Sequence, residues 1–167
     1  MKTKILNANK NDFNVILDLN QAALPAVSEM NITKINYFFH QSKYFKIIKT
    51  TEEGNIAGFL IGLTAGLNYD SENYKWFIKK FDSFMYVDRI VISKEYIGKG
   101  LGTLFYKDLI SFSLNNYKRI ICEYNIKPMN LISKNFHEKF GFKSIGTQKT
   151  EGGKKEVSLM EYKINTD

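Results

Sequence analysis

Phe84-Met-Tyr-Val-Asp-Arg-Ile-Val-Ile-Ser-Lys-Glu-Tyr-Ile-Gly-Lys-Gly-Leu-Gly-Thr-Leu104 reads as a strand, a glycine loop and the start of a helix. From Phe84 to Ile92 aromatic and β-branched residues dominate and only Asp88 and Arg89 interrupt, the pattern of a largely buried strand. Gly98, Gly100 and Gly102 follow at every second position, and Leu101, Leu104, Phe105, Leu109 and Phe112 then recur at helical spacing. That order makes an anion site. The first turn of a helix has backbone N–H groups without internal partners and carries the positive end of the macrodipole. Glycine lets the chain turn with positive φ and lets a phosphate approach the backbone without meeting a Cβ.

Three other readings of the glycines compete. A Walker loop needs Lys-Ser/Thr directly after its last glycine, whereas Gly102 is followed by Thr103-Leu104. A dinucleotide fingerprint needs a different glycine spacing and an acid on the next strand; Glu123 lies about 20 residues on, but the spacing differs and the glycine strand sits mid-chain. The third reading is a flexible turn that binds nothing, and the glycines alone leave it open.

With 167 residues and 44% hydrophobic content the chain suits one compact domain over residues 1–167, with no Pro/Ser linker or repeat. No run approaches about 18 uninterrupted apolar residues, and the N-terminal Met-Lys-Thr-Lys-Ile-Leu-Asn lacks a signal-peptide core. The expectation is a cytoplasmic protein without a membrane partner. Cys122, the single cysteine, lies in the apolar run Ile120-Ile121-Cys122 and reads as a small buried hydrophobe. Two histidines and one cysteine, far apart, assemble no zinc site, so no metal is expected. A net charge of +7 suits anionic partners, the phosphates of a nucleotide cofactor among them. Only Arg89 and Arg119 are arginine, and scattered lysine without arginine argues against reading bases, so no nucleic-acid partner is expected.

In chain order, Lys2 to Ala8 reads as a first strand, and Asn11 or Asp12 can cap a helix carrying Phe13, Ile16, Leu17, Ala22, Ala23 and Leu24, which Pro25 bends or ends. A second helix from about Ile32 to Gln41 puts Ile35, Phe38 and Phe39 on one face. Tyr44 to Lys49 and Asn55 to Leu63 form a strand pair around Glu52-Glu53-Gly54-Asn55. Thr64 to Ser83 is long for a strand-to-strand connection, and Tyr74, Trp76, Phe77, Ile78 and Phe81 suggest a short amphipathic helix, either a lid over an acceptor pocket or a layer packed on the sheet. A helix from Gly100 to Asn115 feeds the strand Arg119 to Tyr124. After Pro128 a further helix sets Ile132, Phe136 and Phe140 four apart and stops at Gly141, and Phe142 to Gln148 pairs with Glu156 to Ile164 across Glu151-Gly152-Gly153.

The glycine stretch resembles motif A of the GNAT N-acetyltransferase superfamily, a hydrophobic strand followed by Gln/Arg-x-x-Gly-x-Gly/Ala, here Ile97-Gly98-Lys99-Gly100-Leu101-Gly102. Ile97 stands where the family usually has Gln or Arg. Asn130-Leu-Ile-Ser133-Lys-Asn-Phe136-His137-Glu138-Lys139-Phe140-Gly141-Phe142 resembles the family's motif B, with Ser133 in place of the usual Ala and His137 in place of the usual Tyr. Val87-Asp88-Arg89-Ile90-Val91-Ile92 with Gly152-Gly153-Lys154-Lys155 is similar to a bacterial branch of acetyltransferases. The resemblance implies an α/β (α+β) acyl-CoA N-acyltransferase fold, a mixed central sheet of about seven strands flanked by about four helices. It also implies acetyl transfer from acetyl-CoA to a primary amine, with a homodimer plausible; an acyl-CoA-binding regulatory protein without catalysis is the alternative.

What the resemblance implies for the residues follows the two motifs. The pantetheine arm lies as an extra strand in the gap where Phe84 to Ile92 and Arg119 to Tyr124 splay, with backbone along Ile90, Val91 and Ile92 pairing to its amides. The pyrophosphate sits on N–H groups of Gly98 to Thr103, helped by Lys99, while Asn130, Ser133 and Phe136 flank the arm. Acetyl transfer needs a proton taken from the ammonium, donors for the oxyanion and a proton for the leaving thiolate. The backbone N–H near Ile90 suits the oxyanion. For the base, Asp88 shares a strand face with Ile90 and Ile92, and Glu123 is the other choice. His137 holds the position of a tyrosine that protonates the sulfur, and packing against the arm is its alternative role.

Overall fold

The computed structural model describes residues 1–164, so the last three residues of the expected 1–167 domain lie outside the described residues. Seven strands, β1 (Thr3–Asn7), β2 (Tyr44–Thr50), β3 (Ile56–Thr64), β4 (Met85–Ile92), β5 (Arg119–Lys127), β6 (Lys143–Thr150) and β7 (Lys155–Lys163), form one sheet in the order β1-β2-β3-β4-β5-β7-β6. The described helices are α1 (Phe13–Ala22), α2 (Ile32–Gln41), α3 (Glu72–Lys80), α4 (Leu101–Ser113) and α5 (Leu131–Phe140). The sheet is mixed: β4 pairs in parallel with β5 through Met85↔Ile120 and Tyr86↔Ile121, whereas β1/β2, β2/β3, β5/β7 and β6/β7 are antiparallel. The fifth helix, α3, is the short amphipathic one that Tyr74, Trp76, Phe77 and Ile78 suggest within Thr64 to Ser83.

The chain divides into two compact units, one of Met1–Leu63 and Val87–Ser111, the other of Thr64–Tyr86 and the described residues from Phe112 onward. In the first unit, α1 buries Phe13, Ile16 and Asn20, and α2 buries Ile35 and Phe38 at the i, i+3 spacing its sequence shows. Asn31 caps α2, its side chain accepting from Lys34 N–H at 2.9 Å. The β2/β3 turn is closed by Gly54 at φ 72°, where a side chain would be strained. Gly58 on β3 lets β4 approach, since a Cβ there would lie 2.5 Å from the Val91 carbonyl oxygen. Tyr44 Oη and Lys46 Nζ on β2 both donate to Asp108 on α4, at 2.7 and 2.6 Å, and so tie that helix to the sheet.

In the second unit, α3 is capped by Ser71, buries Tyr74 and Phe77, and carries Lys79 and Lys80 in its last turn, where they suit the negative end of the helix dipole. Tyr74 Oη donates to the Thr64 carbonyl at 2.7 Å and accepts from Leu67 N–H at 3.0 Å, which folds the connection back on its own helix. β5 continues past Tyr124 to Lys127 because its partner β7 continues to Glu156, a tertiary extension that local propensity does not announce. Gly141 ends α5 at φ 115°, with its N–H on the carbonyls of His137 and Glu138.

Candidate active site

The first unit holds the glycine loop. On β4, Val87, Arg89 and Val91 are buried, while Asp88, Ile90 and Ile92 alternate with them as half-buried residues on the opposite face. The chain then makes a short 3-10 turn at Lys94–Tyr96 with Tyr96 buried, and Lys99 N–H reaches the Tyr96 carbonyl at 3.3 Å. Gly98 and Gly100 have φ of 80° and 79°, and a Cβ on either would meet nothing within 4 Å. Positive φ with open space is the conformation that a backbone cradle needs and that L side chains resist. α4 begins directly afterwards, with Leu101 buried as its anchor and Leu104 N–H to Gly100 O as an opening hydrogen bond at 3.1 Å. The N–H groups of Leu101, Gly102 and Thr103 precede that bond and head the positive end of the helix. Ile97 is exposed, and Lys99 Nζ lies over the Tyr96 ring, 4.9 Å from its centroid. A cavity of about 430 Å3 beside Tyr96 is lined by Asp12, Lys49, Asn55 and Glu95 among others; it holds none of the candidate catalytic or cofactor-binding residues.

Asp88 is not a solitary carboxylate. Its Oδ2 accepts from Arg89 Nε at 2.8 Å, with the Asp88 and Arg89 side chains 4% and 2% exposed. Arg89 also donates to Asn20 Oδ1 and to the carbonyl and hydroxyl of Ser28, and its guanidinium stacks on Phe38 at 5.3 Å. Lys34 donates to the same hydroxyl, and burial together with the Arg89 charge holds its ammonium below the ordinary lysine range, against an opposing pull from Asp88. This network ties β4 to the segment between α1 and α2.

The second unit holds the other candidates. Glu123 on β5 accepts at Oε1 from Tyr86 Oη at 2.8 Å and from Asn73 Nδ2 at 3.2 Å, and Gln148 on β6 donates to Asn73 Oδ1 at 2.9 Å. Asn130 caps α5, its side chain accepting from Ser133 N–H at 3.1 Å. His137 is buried between aromatic rings, edge-on to Phe136 and Phe142 and parallel to Tyr124. Its Nδ1 lies 2.7 Å from the Ser133 carbonyl, so in the neutral ring that nitrogen carries the proton and donates it there. Burial lowers the His137 pKa below the usual histidine value, with the Ser133 hydrogen bond acting the other way. Phe136 is half-buried and tilted against Phe140. Trp76 rests on β6, where a Cβ at Gly146 would stand 2.9 Å from its ring. Among the described residues no group of three or more His, Cys, Asp or Glu could hold a metal ion, and no helix is long and apolar enough to cross a membrane.

Sequence reasoning missed the donors around Glu123. Tyr86 had a signal, because parallel strands that pair at Tyr86↔Ile121 bring Glu123 within two residues of it; Asn73 and Gln148 had none.

The sequence profile described as the Acetyltransferase (GNAT) family matches residues 14–142. The chain belongs to that family. A protein of Bacillus subtilis subsp. natto (strain BEST195), named "Probable spermine N(1)-acetyltransferase", is 30% identical over 112 residues, covering 66% of this chain and 68% of its own. Ard1 from Thermoplasma volcanium shares the fold with a TM-score of 0.79 at 12% identity, over 99% of this chain and 100% of its own. So does yncA from Salmonella typhimurium, solved with its cofactor acetyl-CoA, with a TM-score of 0.71 at 15% identity over 100% and 96%. This GNAT protein is an acetyl-CoA-dependent N-acetyltransferase that moves an acetyl group to an amine.

Proposed function

We propose that the pyrophosphate of acetyl-CoA rests on the Gly98–Thr103 backbone, that its arm pairs along Ile90, Val91 and Ile92, and that Glu123 takes the proton of a primary amine. The observation that carries the reading is the loop geometry, two positive-φ glycines with open space directly before the first turn of α4. Glu123 takes one proton from the ammonium, the freed nitrogen attacks the thioester carbonyl carbon, the carbon–sulfur bond breaks, and the second N–H proton passes to the departing thiolate. An acetylated amine and free CoA thiol leave, and the carboxylic acid returns its proton to solvent.

Asp88 is the weaker candidate for the base, since its carboxylate is paired with the Arg89 guanidinium, whereas Glu123 accepts from two neutral donors on one oxygen. Asn130 caps α5 and can still offer its amide N–H2 to the arm, beside Ser133 and Phe136. His137, neutral and committed to Ser133, enters as a packing residue in place of the acid. That same feature favours the second reading, an acyl-CoA-binding regulator with feeble turnover. The acceptor we propose is a small cationic amine, supported by the name of the Bacillus relative. We also propose one acetyltransferase domain over 1–167 in a bacterial cytoplasm, supported by the bacterial relative. A homodimer, supported by the sheet edges β1 and β6, is tested by sedimentation.

The test is acetyl-CoA calorimetry on the wild type and on Gly100→Trp, with thiol release measured on spermine, spermidine and a lysine peptide. Binding that the variant loses, with release on one amine, supports the enzyme; binding without release supports the regulator; no binding to the wild type overturns both.

A further inference from the structure

We infer that α3 builds the proton-accepting centre, with Asn73 as a positioning residue for Glu123 and Gln148 acting on that carboxylate through Asn73. The inference rests on the reading of Glu123 as the base and goes beyond it, because it assigns a function to the segment Thr64–Ser83. Asn73 and Trp76 lie three apart and therefore on one stripe of α3. Trp76 lies against Gly146 of β6, where a methyl group would stand 2.9 Å from the indole, so that contact sets the height of the stripe above the sheet. Two residues further along β6, Gln148 Nε2 donates to Asn73 Oδ1 at 2.9 Å.

An amide has two donors and one acceptor oxygen, so a donor on its oxygen decides which way its NH2 points. Here it points at Glu123 Oε1, 3.2 Å away, beside the Tyr86 hydroxyl at 2.8 Å. Tyr86 is itself fixed, buried against Tyr74 and Phe77 of the same helix with ring centroids 5.6 and 5.8 Å apart. Glu123 is thus held from two sides by groups that α3 supplies or packs. A carboxylate with three rotatable bonds delivers a lone pair to an incoming ammonium only when held in one rotamer, and holding it is worth rate and not affinity for the cosubstrate.

Asn73→Ala, Gln148→Ala, the double variant and Glu123→Gln are compared with the wild type using the best-acetylated amine among spermine, spermidine and a lysine peptide. Calorimetry with acetyl-CoA and the thermal midpoint serve as controls of folding. Asn73→Ala is expected to lower kcat about tenfold with acetyl-CoA affinity unchanged, and Gln148→Ala about threefold. The double variant is expected to match Asn73→Ala alone, because Gln148 acts on the carboxylate through Asn73. Losses that multiply in the double variant overturn the relay. A wild-type rate in Asn73→Ala with an inactive Glu123→Gln overturns the inference and leaves the base in place, whereas a wild-type rate in Glu123→Gln overturns both. A readout that needs no acceptor is the side-chain carboxyl 13C resonance of Glu123: at fixed pH, Gln148→Ala is expected to displace it from two side chains away, and an unmoved resonance overturns the relay.

Discussion

His137 is a titratable group that the fold keeps uncharged. Its folded pKa lies below the unfolded value, so between the two the unfolded chain binds more protons and stability falls as pH falls. The contribution is complete above about pH 6.5 and is lost below it, with a slope of at most about 1.4 kcal/mol per pH unit. The thermal midpoint should drop from pH 7 to pH 5, and His137→Phe, which keeps an aromatic ring among Phe136, Phe142 and Tyr124, should flatten that drop. An equally steep profile in the variant would assign the acid sensitivity to other groups. Gly58 gives a steric prediction: Ala there puts a methyl group 2.5 Å from backbone, and Gly58→Ala should cost about 1–3 kcal/mol in denaturant unfolding. Neither feature was legible in the sequence. His137 stands in a motif that suggests chemistry, and only the Ser133 carbonyl and the surrounding rings reveal its environment; Gly58 sits in a strand pattern that any small residue would continue.

α4 carries the loop and depends on its own fastening. Asp108 accepts from both Tyr44 and Lys46, and burial first, then the Asp108 hydrogen bond and charge, raise the Tyr44 phenol pKa, so its hydroxyl stays protonated as a donor. Asp108→Ala leaves a largely buried hydroxyl without its acceptor and should cost about 1–3 kcal/mol, whereas Tyr44→Phe removes the donor and should cost less. Equal losses in urea melts would contradict this asymmetry. The element was plain in the sequence because Leu101, Phe105 and Leu109 keep a helical period after the glycines, and it was observed as Leu101–Ser113 against an expected Gly100 to Asn115. α3 was half legible. Its aromatics announced a helix, but the choice between lid and layer turns on Gly146, remote in sequence, whose missing side chain leaves room for Trp76. Gly146→Val should therefore displace α3, seen as a change in Trp76 fluorescence; an unchanged spectrum would separate the helix from β6.

The whole molecule carries a formal charge of +7, and its cosubstrate is anionic. Opposite charges steer encounter and salt screens them, with a Debye length of about 8 Å at physiological ionic strength. The stopped-flow association rate of acetyl-CoA should fall about threefold or more from low to high salt, with dissociation changing less; a flat rate would mean that the lysines contribute no steering. At this scale the element order was legible because each segment shows a period of two or of 3.6. The placement of β7 between β5 and β6 was not, because strand neighbours are decided by long-range pairing that leaves no local trace. The glycine loop and α3 fall in different compact units. A segment so built can be varied selectively: a library over Thr64 to Ser83 that keeps Ser71, Asn73, Tyr74, Trp76 and Phe77 and changes the remaining positions leaves in place the cap, the packing and the amide that faces Glu123.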